Sequence, residues 1–178
     1  STARHMGRLT LNPRAHLDVM GSIMVLVAGF GWAKPVPVNP RNLRYGPTTG
    51  MAIVAGAGPF SNLVLAVIFA AIWRLAGPAL VSFGTGSKYL PTPVDLLREL
   101  VILNIVLMIF NLIPLAPLDG FNVLRGLVPR PWSYQMGRLQ PYGPMILFGL
   151  VMLGFVGLPI LSTILWPPTI ALFEVLWG

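Results

Sequence analysis

Residues 96–124 read LLRELVILNIVLMIFNLIPLAPLDGFNVL, and this stretch decides the fold. From Leu100 to Leu118 it is apolar apart from two asparagines, and the run is followed at once by Asp119. About 20 apolar residues are enough for a helix to cross the hydrocarbon core of a bilayer. A carboxylate at the end of such a helix is costly to hold there, so Asp119 is a candidate functional residue.

Two prolines separate the apolar run from Asp119. Pro114 and Pro117 lack an amide hydrogen, so we predict that the helix breaks or kinks there. The carbonyl groups that the break leaves free need partners, and irregular backbone at membrane depth survives only inside protein or beside a wet cavity. The stretch therefore predicts a membrane helix whose broken end presents a carboxylate to a polar pocket. Without further context, Asp119 followed by glycine is also typical of a solvated turn.

The pattern N-x-x-P-x-x-x-L-D-G occurs at Asn111, Pro114, Leu118, Asp119 and Gly120. In this pattern the chain resembles the site-2 protease family of intramembrane zinc metalloproteases, peptidase family M50. GPFSN at 58–62 resembles the G-P-x-x-N helix start of the family. GRLTLNPRAHLD at 7–18 and FGWAKPVPVNPRNLR at 30–44 resemble segments of its bacterial branch without a PDZ domain. The resemblance covers most of residues 7–127 and implies that Asp119 is a zinc ligand.

The H-E-x-x-H helix of that family, with two zinc ligands and the general base, has no counterpart in this sequence. The resemblance places it just before residues 1–13, so we expect it upstream, in a longer parent protein. A catalytic zinc needs three protein ligands, and we expect the 178-residue chain alone to bind none. His5 and His16 lack the spacing of a ligand pair on one helix and have no adjacent glutamate. We interpret His16 as structural.

The composition is typical of an integral membrane protein. Of the 178 residues, 55% are hydrophobic and 10% are charged, whereas a soluble domain usually carries about 25% charged residues. The net charge of +7 comes from basic residues between the apolar runs, as in loops that face anionic lipid. Cysteine is absent, which excludes a disulfide framework and a thiolate zinc site.

We predict an all-α polytopic membrane protein, with residues 1–178 forming a single membrane domain. The resemblance implies that this is the C-terminal part of a site-2-protease-type core. Three spans are predicted at 51–73, 96–118 and 142–166, the last one stopped by the Pro-Pro pair that follows it. The apolar run within 17–33 is short for a span and predicts a re-entrant segment. Residues 169–178 are expected to form a short interfacial helix.

The basic residues predict the orientation. If residues 17–33 return to their own side, the basic residues divide nine against three, and if this segment spans, they divide six against six. The positive-inside rule favours the uneven division, which places the Asp119 end near the cytosol. The resemblance to a bacterial branch of the family implies a protein of the bacterial inner membrane, which we expect to be oriented in this way.

Asn111 lies about two helical turns before Asp119. One interpretation is a hydrogen bond to another helix inside the bundle. The resemblance implies instead a place beside the substrate carbonyl, where an amide could stabilise an oxyanion. The residues alone leave both interpretations open. Asn104 and Asn62 are interpreted as structural amides.

The resemblance implies that the complete protein hydrolyses peptide bonds of transmembrane substrates with zinc-activated water, and that this chain supplies the Asp119 ligand. The alternative is a catalytically inactive relative that has lost its metal site and serves as a structural subunit or scaffold of a membrane complex. The expected partners are membrane lipids and a transmembrane protein, either as substrate or as partner subunit. Nucleic acid is not expected to bind.

Overall fold

The computed structural model describes residues 38–82 and 91–178, with isolated earlier positions at 7, 10, 12, 15, 17–20, 22, 23 and 34. The chain divides into two compact units, Ser1–Pro47 and Thr48–Gly178. In the first unit, the described residues include a 3-10 helix, Pro40–Asn42, which Asn39 caps with its side chain. Most of the predicted re-entrant segment, 17–33, and both histidines lie outside the described residues.

The described residues of the second unit fold into helices joined by short connections. In chain order these are α1 Pro47–Ser82, α2 Pro93–Leu112, α3 Asp119–Leu127, α4 Arg130–Leu139, α5 Gly143–Phe155 and α6 Ile160–Trp177, with a 3-10 turn, Gln140–Tyr142, between α4 and α5. The prediction of an all-α fold is confirmed for this part of the chain.

The core of this unit lies where α1, α2 and α6 meet. Ala66 and Ala70 of α1 pack against Val101 and Ile105 of α2, and all four are almost inaccessible to solvent. The alanines let the two helix backbones approach closely, which is the way that membrane helices commonly pack. Larger side chains of α6 cover the cluster, among them Phe173, Leu176 and Trp177.

Two helices, α1 and α6, are long and apolar enough to cross a membrane. Only 17% and 6% of their most apolar windows are buried within the chain. The core helix of a soluble protein would be mostly buried, so the low burial of these two helices supports contact with a membrane. α1 contains the whole predicted span 51–73.

α2 covers only part of the predicted span 96–118, because it runs from Pro93 to Leu112 and the next helix starts at Asp119. The first turns of α2 carry three charged residues, Asp95, Arg98 and Glu99, whereas α1 and α6 are apolar over the length of a span. A count of three spans therefore stays a prediction.

The predicted span 142–166 is also not a single helix. α5 ends at Phe155, the chain turns through Gly157 with a φ of +90°, and α6 starts at Ile160. That φ lies in the left-handed region, which glycine adopts at little cost. α6 then continues through Pro167 and Pro168, so the interpretation of this pair as a stop was wrong. The prolines remove two amide donors from α6, and the helix packs against α2.

Candidate metal-ligand site around Asp119

The segment between α2 and α3 delivers Asp119 to the start of a helix. α2 ends at Leu112, and the break at Pro114 and Pro117 that the sequence predicted is confirmed. Backbone hydrogen bonds fold the segment tightly, with the amide of Leu118 bonded to the carbonyl of Leu115 at 2.9 Å. Leu118 is the N-cap of α3 and supplies no side-chain cap. Asp119 is therefore the first residue of α3, where a negative charge interacts favourably with the helix dipole.

Asp119 lies directly against α1. A Cβ atom built on Gly58 would lie 2.8 Å from Oδ2 of Asp119 and 3.8 Å from its Cγ. The contact between α1 and α3 continues along the helix, since a Cβ on Gly56 would lie 3.8 Å from Cγ2 of Val123 and one on Gly126 would meet Cβ of Ala52. The fold thus joins two blocks that are far apart in the sequence, GPFSN and L-D-G.

The Asp119 carboxyl group is partly buried and has no partner among the described residues. In that part of the chain, no cation pairs with it and no donor is recorded within hydrogen-bond distance of its oxygens. Burial raises the pKa of Asp119, because the charged form loses hydration. A partly buried acid without a partner is costly in an ordinary fold, and such groups concentrate at functional sites.

Asn111 is held within its own helix. Its Nδ2 donates to the carbonyl oxygen of Leu107 at 2.9 Å, one turn earlier in α2. Asn104 makes the equivalent bond to Leu100 at 2.8 Å and is buried. Neither bond joins two helices, so the interhelical hydrogen bond of the first interpretation of Asn111 is not seen in the described residues. Its proposed role at an oxyanion stays a prediction.

A cleft of about 420 Å³ opens beside the first turns of α3. Asn122 and Gln140 give it amide groups, and Phe121 with three prolines gives it apolar walls. Arg125 binds one residue of the cleft wall. Its Nη1 donates to Oε1 of Gln140 at 3.3 Å, and its Nε donates to the carbonyl of Ser133 at 3.2 Å. Sequence reasoning missed this arrangement, because it interpreted Arg125 only as one of several basic loop residues.

The described residues do not form a zinc site by themselves. Among them, no group of three histidine, cysteine or acidic side chains could hold a metal. Asp119 fits as one oxygen ligand, since its carboxylate is partly buried and has no partner in the described chain. A catalytic zinc site requires three protein ligands, so no reaction step can be derived from these residues alone.

Comparison with known proteins relates the chain to a metalloprotease. Over 170 aligned residues it is 40% identical to a Bacillus subtilis (strain 168) protein named "Putative zinc metalloprotease YwhC". The match covers 93% of this chain and 72% of that protein. No protein-family profile and no solved structure matches the chain. At this identity and coverage, the chain belongs to the family of that Bacillus protein, whose name describes a zinc metalloprotease.

Proposed function

We propose that this chain is part of an intramembrane zinc metalloprotease of the site-2 protease type, and that Asp119 is one of its zinc ligands. The observation that carries the proposal is the carboxylate of Asp119, which has no partner in the described chain and lies at the junction of GPFSN with L-D-G. The relation to a protein named as a zinc metalloprotease supports the reaction class, which is peptide-bond hydrolysis. The remaining ligands and the general base belong to an H-E-x-x-H helix outside this sequence.

The membrane setting is part of the proposal. α1 and α6 have the length and composition to cross a bilayer, and most residues in their most apolar windows keep some exposed surface among the described residues. Lipid would cover that surface. The substrate is then a transmembrane protein, cut near the Asp119 end on the cytosolic side of a bacterial inner membrane. The orientation rests on the division of basic residues, nine against three.

The alternative function is that of a scaffold without a metal site. It shares with the first function the lack of three candidate metal ligands among the described residues. An inactive relative would use the same helices as a scaffold or structural subunit of a membrane complex. In that case Asp119 would remain only as a helix-start acid, where it is electrostatically favourable.

The experiment that separates these functions replaces Asp119 in the full-length protein. Asp119→Asn keeps the side-chain volume but removes the charge and the strong carboxylate ligand, so we expect bound zinc and most of the cleavage of a membrane substrate to be lost. Folding should not suffer, because burial raises the pKa of Asp119 and a neutral amide is cheaper to bury. Zinc by metal analysis, cleavage, and the unfolding midpoint in detergent are the measurements.

The matched control is Asp95→Asn, the same substitution at an exposed acid at the start of α2. It should leave zinc and cleavage unchanged. Full zinc and full activity in Asp119→Asn would contradict the ligand assignment. A wild-type protein that binds no zinc and cleaves no membrane substrate would favour the scaffold. Metal analysis of the isolated 178-residue chain adds an independent result, because tightly held stoichiometric zinc there would bring His5 and His16 back as ligands.

A further inference from the structure

Gly58 of α1 occupies the position nearest to the tip of the Asp119 side chain. A Cβ atom at residue 58 would approach Oδ2 to 2.8 Å, closer than real side chains come, whereas its 3.8 Å distance to Cγ is an ordinary contact. The conflict would therefore involve the terminal oxygen of a rotatable carboxylate and not the backbone of α3. The carboxylate occupies space that any residue other than glycine would fill.

From this geometry we propose that Gly58 is a positioning residue for Asp119: the missing side chain leaves a recess in α1 that sets the direction of the carboxylate. The expectation that this positioning affects zinc binding rests on the proposed function. The terminal torsion of an aspartate is broad and soft, so the recess, and not the torsion itself, fixes where the oxygens lie. No hydrogen bond from the described residues competes for that role, which leaves shape as the constraint.

The proposal predicts that position and stability can be separated at residue 58. Alanine in a helix interior is more favourable than glycine. Pro59 follows directly, and a residue with a Cβ before proline is disfavoured in helical geometry. These two effects oppose each other, and the carboxylate can rotate away at low cost. Gly58→Ala should therefore fold with nearly unchanged stability while its Asp119 carboxylate points elsewhere.

Two glycines of the same helix provide matched controls. Gly56→Ala gains the same helix propensity, but its Cβ would make only an ordinary 3.8 Å contact with Val123. Gly77 also precedes a proline, Pro78, and its Cβ would lie 2.9 Å from the ring of Trp73. Gly77→Ala thus shares the proline context and adds crowding far from Asp119. It should lose stability and keep the site intact.

The experiment measures zinc affinity, cleavage and the unfolding midpoint of the metal-free form for all three variants in the full-length protein. We expect Gly58→Ala to lose about 10- to 100-fold in zinc affinity, the usual effect of residues that orient a ligand, with a midpoint near that of the wild type. Gly56→Ala should match the wild type throughout. Gly77→Ala should show a lower midpoint and normal zinc affinity.

The outcomes distinguish this inference from the proposed function. If Asp119→Asn loses zinc while Gly58→Ala binds it as tightly as Gly56→Ala does, the positioning role is refuted and the ligand assignment stands. If Gly58→Ala lowers the midpoint as Gly77→Ala does, Gly58 serves packing and the inference is overturned. If Asp119→Asn keeps its zinc, Asp119 is not a zinc ligand and the proposed function is refuted, whatever Gly58→Ala shows.

Discussion

The two ends of the second unit hold their helices together in opposite ways. The Asp119 end comprises residues 52–58 and 112–126. Here the helices meet where side chains are small or absent, and Gly58 lies directly against the carboxylate of Asp119. At the aromatic end, which comprises residues 73–77, 98 and 173–178, they meet through large rings. Trp73 stacks on Trp177 with centroids 4.8 Å apart and an angle of 4° between the rings.

The difference teaches that stability and position are provided by different parts of this fold. Stacked rings bury much area and tolerate small shifts, so they suit an interface that only has to hold. A glycine contact buries little, but it fixes the distance between two backbones and leaves a recess of defined shape. A carboxylate that has to point in one direction is better served by the second arrangement. The predictions below test this division, starting with the largest expected effect.

Gly120→Ala should damage the Asp119 end most. Its Cβ would overlap the carbonyl group of Leu112 and lie 2.6 Å from the carbonyl oxygen of Ile113, and backbone cannot rotate away as a side chain can. Overpacking of this kind costs about 1–3 kcal/mol, occasionally more. The free energy of unfolding in detergent measures it. Gly149→Ala in α5, where a Cβ meets nothing within 4 Å, is the control and should be neutral or slightly stabilising.

Arg74→Met should weaken the aromatic end. The guanidinium group donates to the carbonyl oxygens of Leu176 at 2.9 Å, Val175 at 3.0 Å and Gly178 at 3.1 Å, which complements the negative end of α6. Hydrogen bonds to charged groups contribute about 1.5–3 kcal/mol, and Arg74 is exposed, so we expect about 1.5 kcal/mol. Arg74→Lys keeps the charge but lacks the planar guanidinium group, so its free energy of unfolding should lie between those of Arg74→Met and the wild type. Equal stability of all three proteins would show that Arg74 does not anchor α6.

Local features of the Asp119 end could be predicted from the sequence, and its contacts could not. The break at Pro114 and Pro117 follows from a missing amide, which is a property of the residue itself. The approach of Gly58 to Asp119 depends on how α1 and α3 pack, and no spacing along the chain records it. The resemblance selected both blocks without indicating that they touch.

The aromatic end shows why helix boundaries were harder to predict. Pro167-Pro168 was interpreted as a stop because proline removes amide donors, yet α6 passes through it. α6 makes contacts with α2 and accepts hydrogen bonds from Arg74, and both lie outside any local window of sequence. The turn at Gly157 has a local cause, because this glycine adopts a positive φ. The sequence alone could not single it out, since Gly149 and Gly154 lie in the same apolar run.

The stack of Trp73 on Trp177 should have a smaller energetic effect than Arg74, and it can be isolated with a double-mutant cycle. Trp73→Leu and Trp177→Leu keep apolar volume and remove the rings. Aromatic pairs contribute about 0.5–1.5 kcal/mol beyond the area they bury, so the coupling energy from the four unfolding free energies should be about 1 kcal/mol. If the two losses of unfolding free energy are strictly additive, the rings stabilise the fold only through the area they bury. The way in which helices are held together would then differ less between the two ends than proposed.

The smallest effect is expected at Asp95, the acid at the start of α2. Arg98, one turn later, lies 5.9 Å from the ring centroid of Phe173, so this turn belongs beside the aromatic end. Hydrogen bonds from the hydroxyl and then the amide of Thr92 lower the pKa of Asp95, whereas burial raises that of Asp119. The two pKa shifts are opposite because Asp95 accepts hydrogen bonds from Thr92, whereas Asp119 accepts none from the described residues.

The sign of the Asp95 effect can be stated. A carboxyl group with a lowered pKa in the folded state contributes stability above its ordinary pKa of about 4, and this contribution is lost as the pH falls through the folded value. Asp95→Asn should therefore unfold at a slightly lower temperature than the wild type at pH 7. The difference should disappear in acid, below the folded pKa, where Asp95 is neutral in both folded and unfolded chains. Melting curves at several pH values measure this, and a difference that persists in acid would show that Asp95 stabilises the helix start by shape and not by charge.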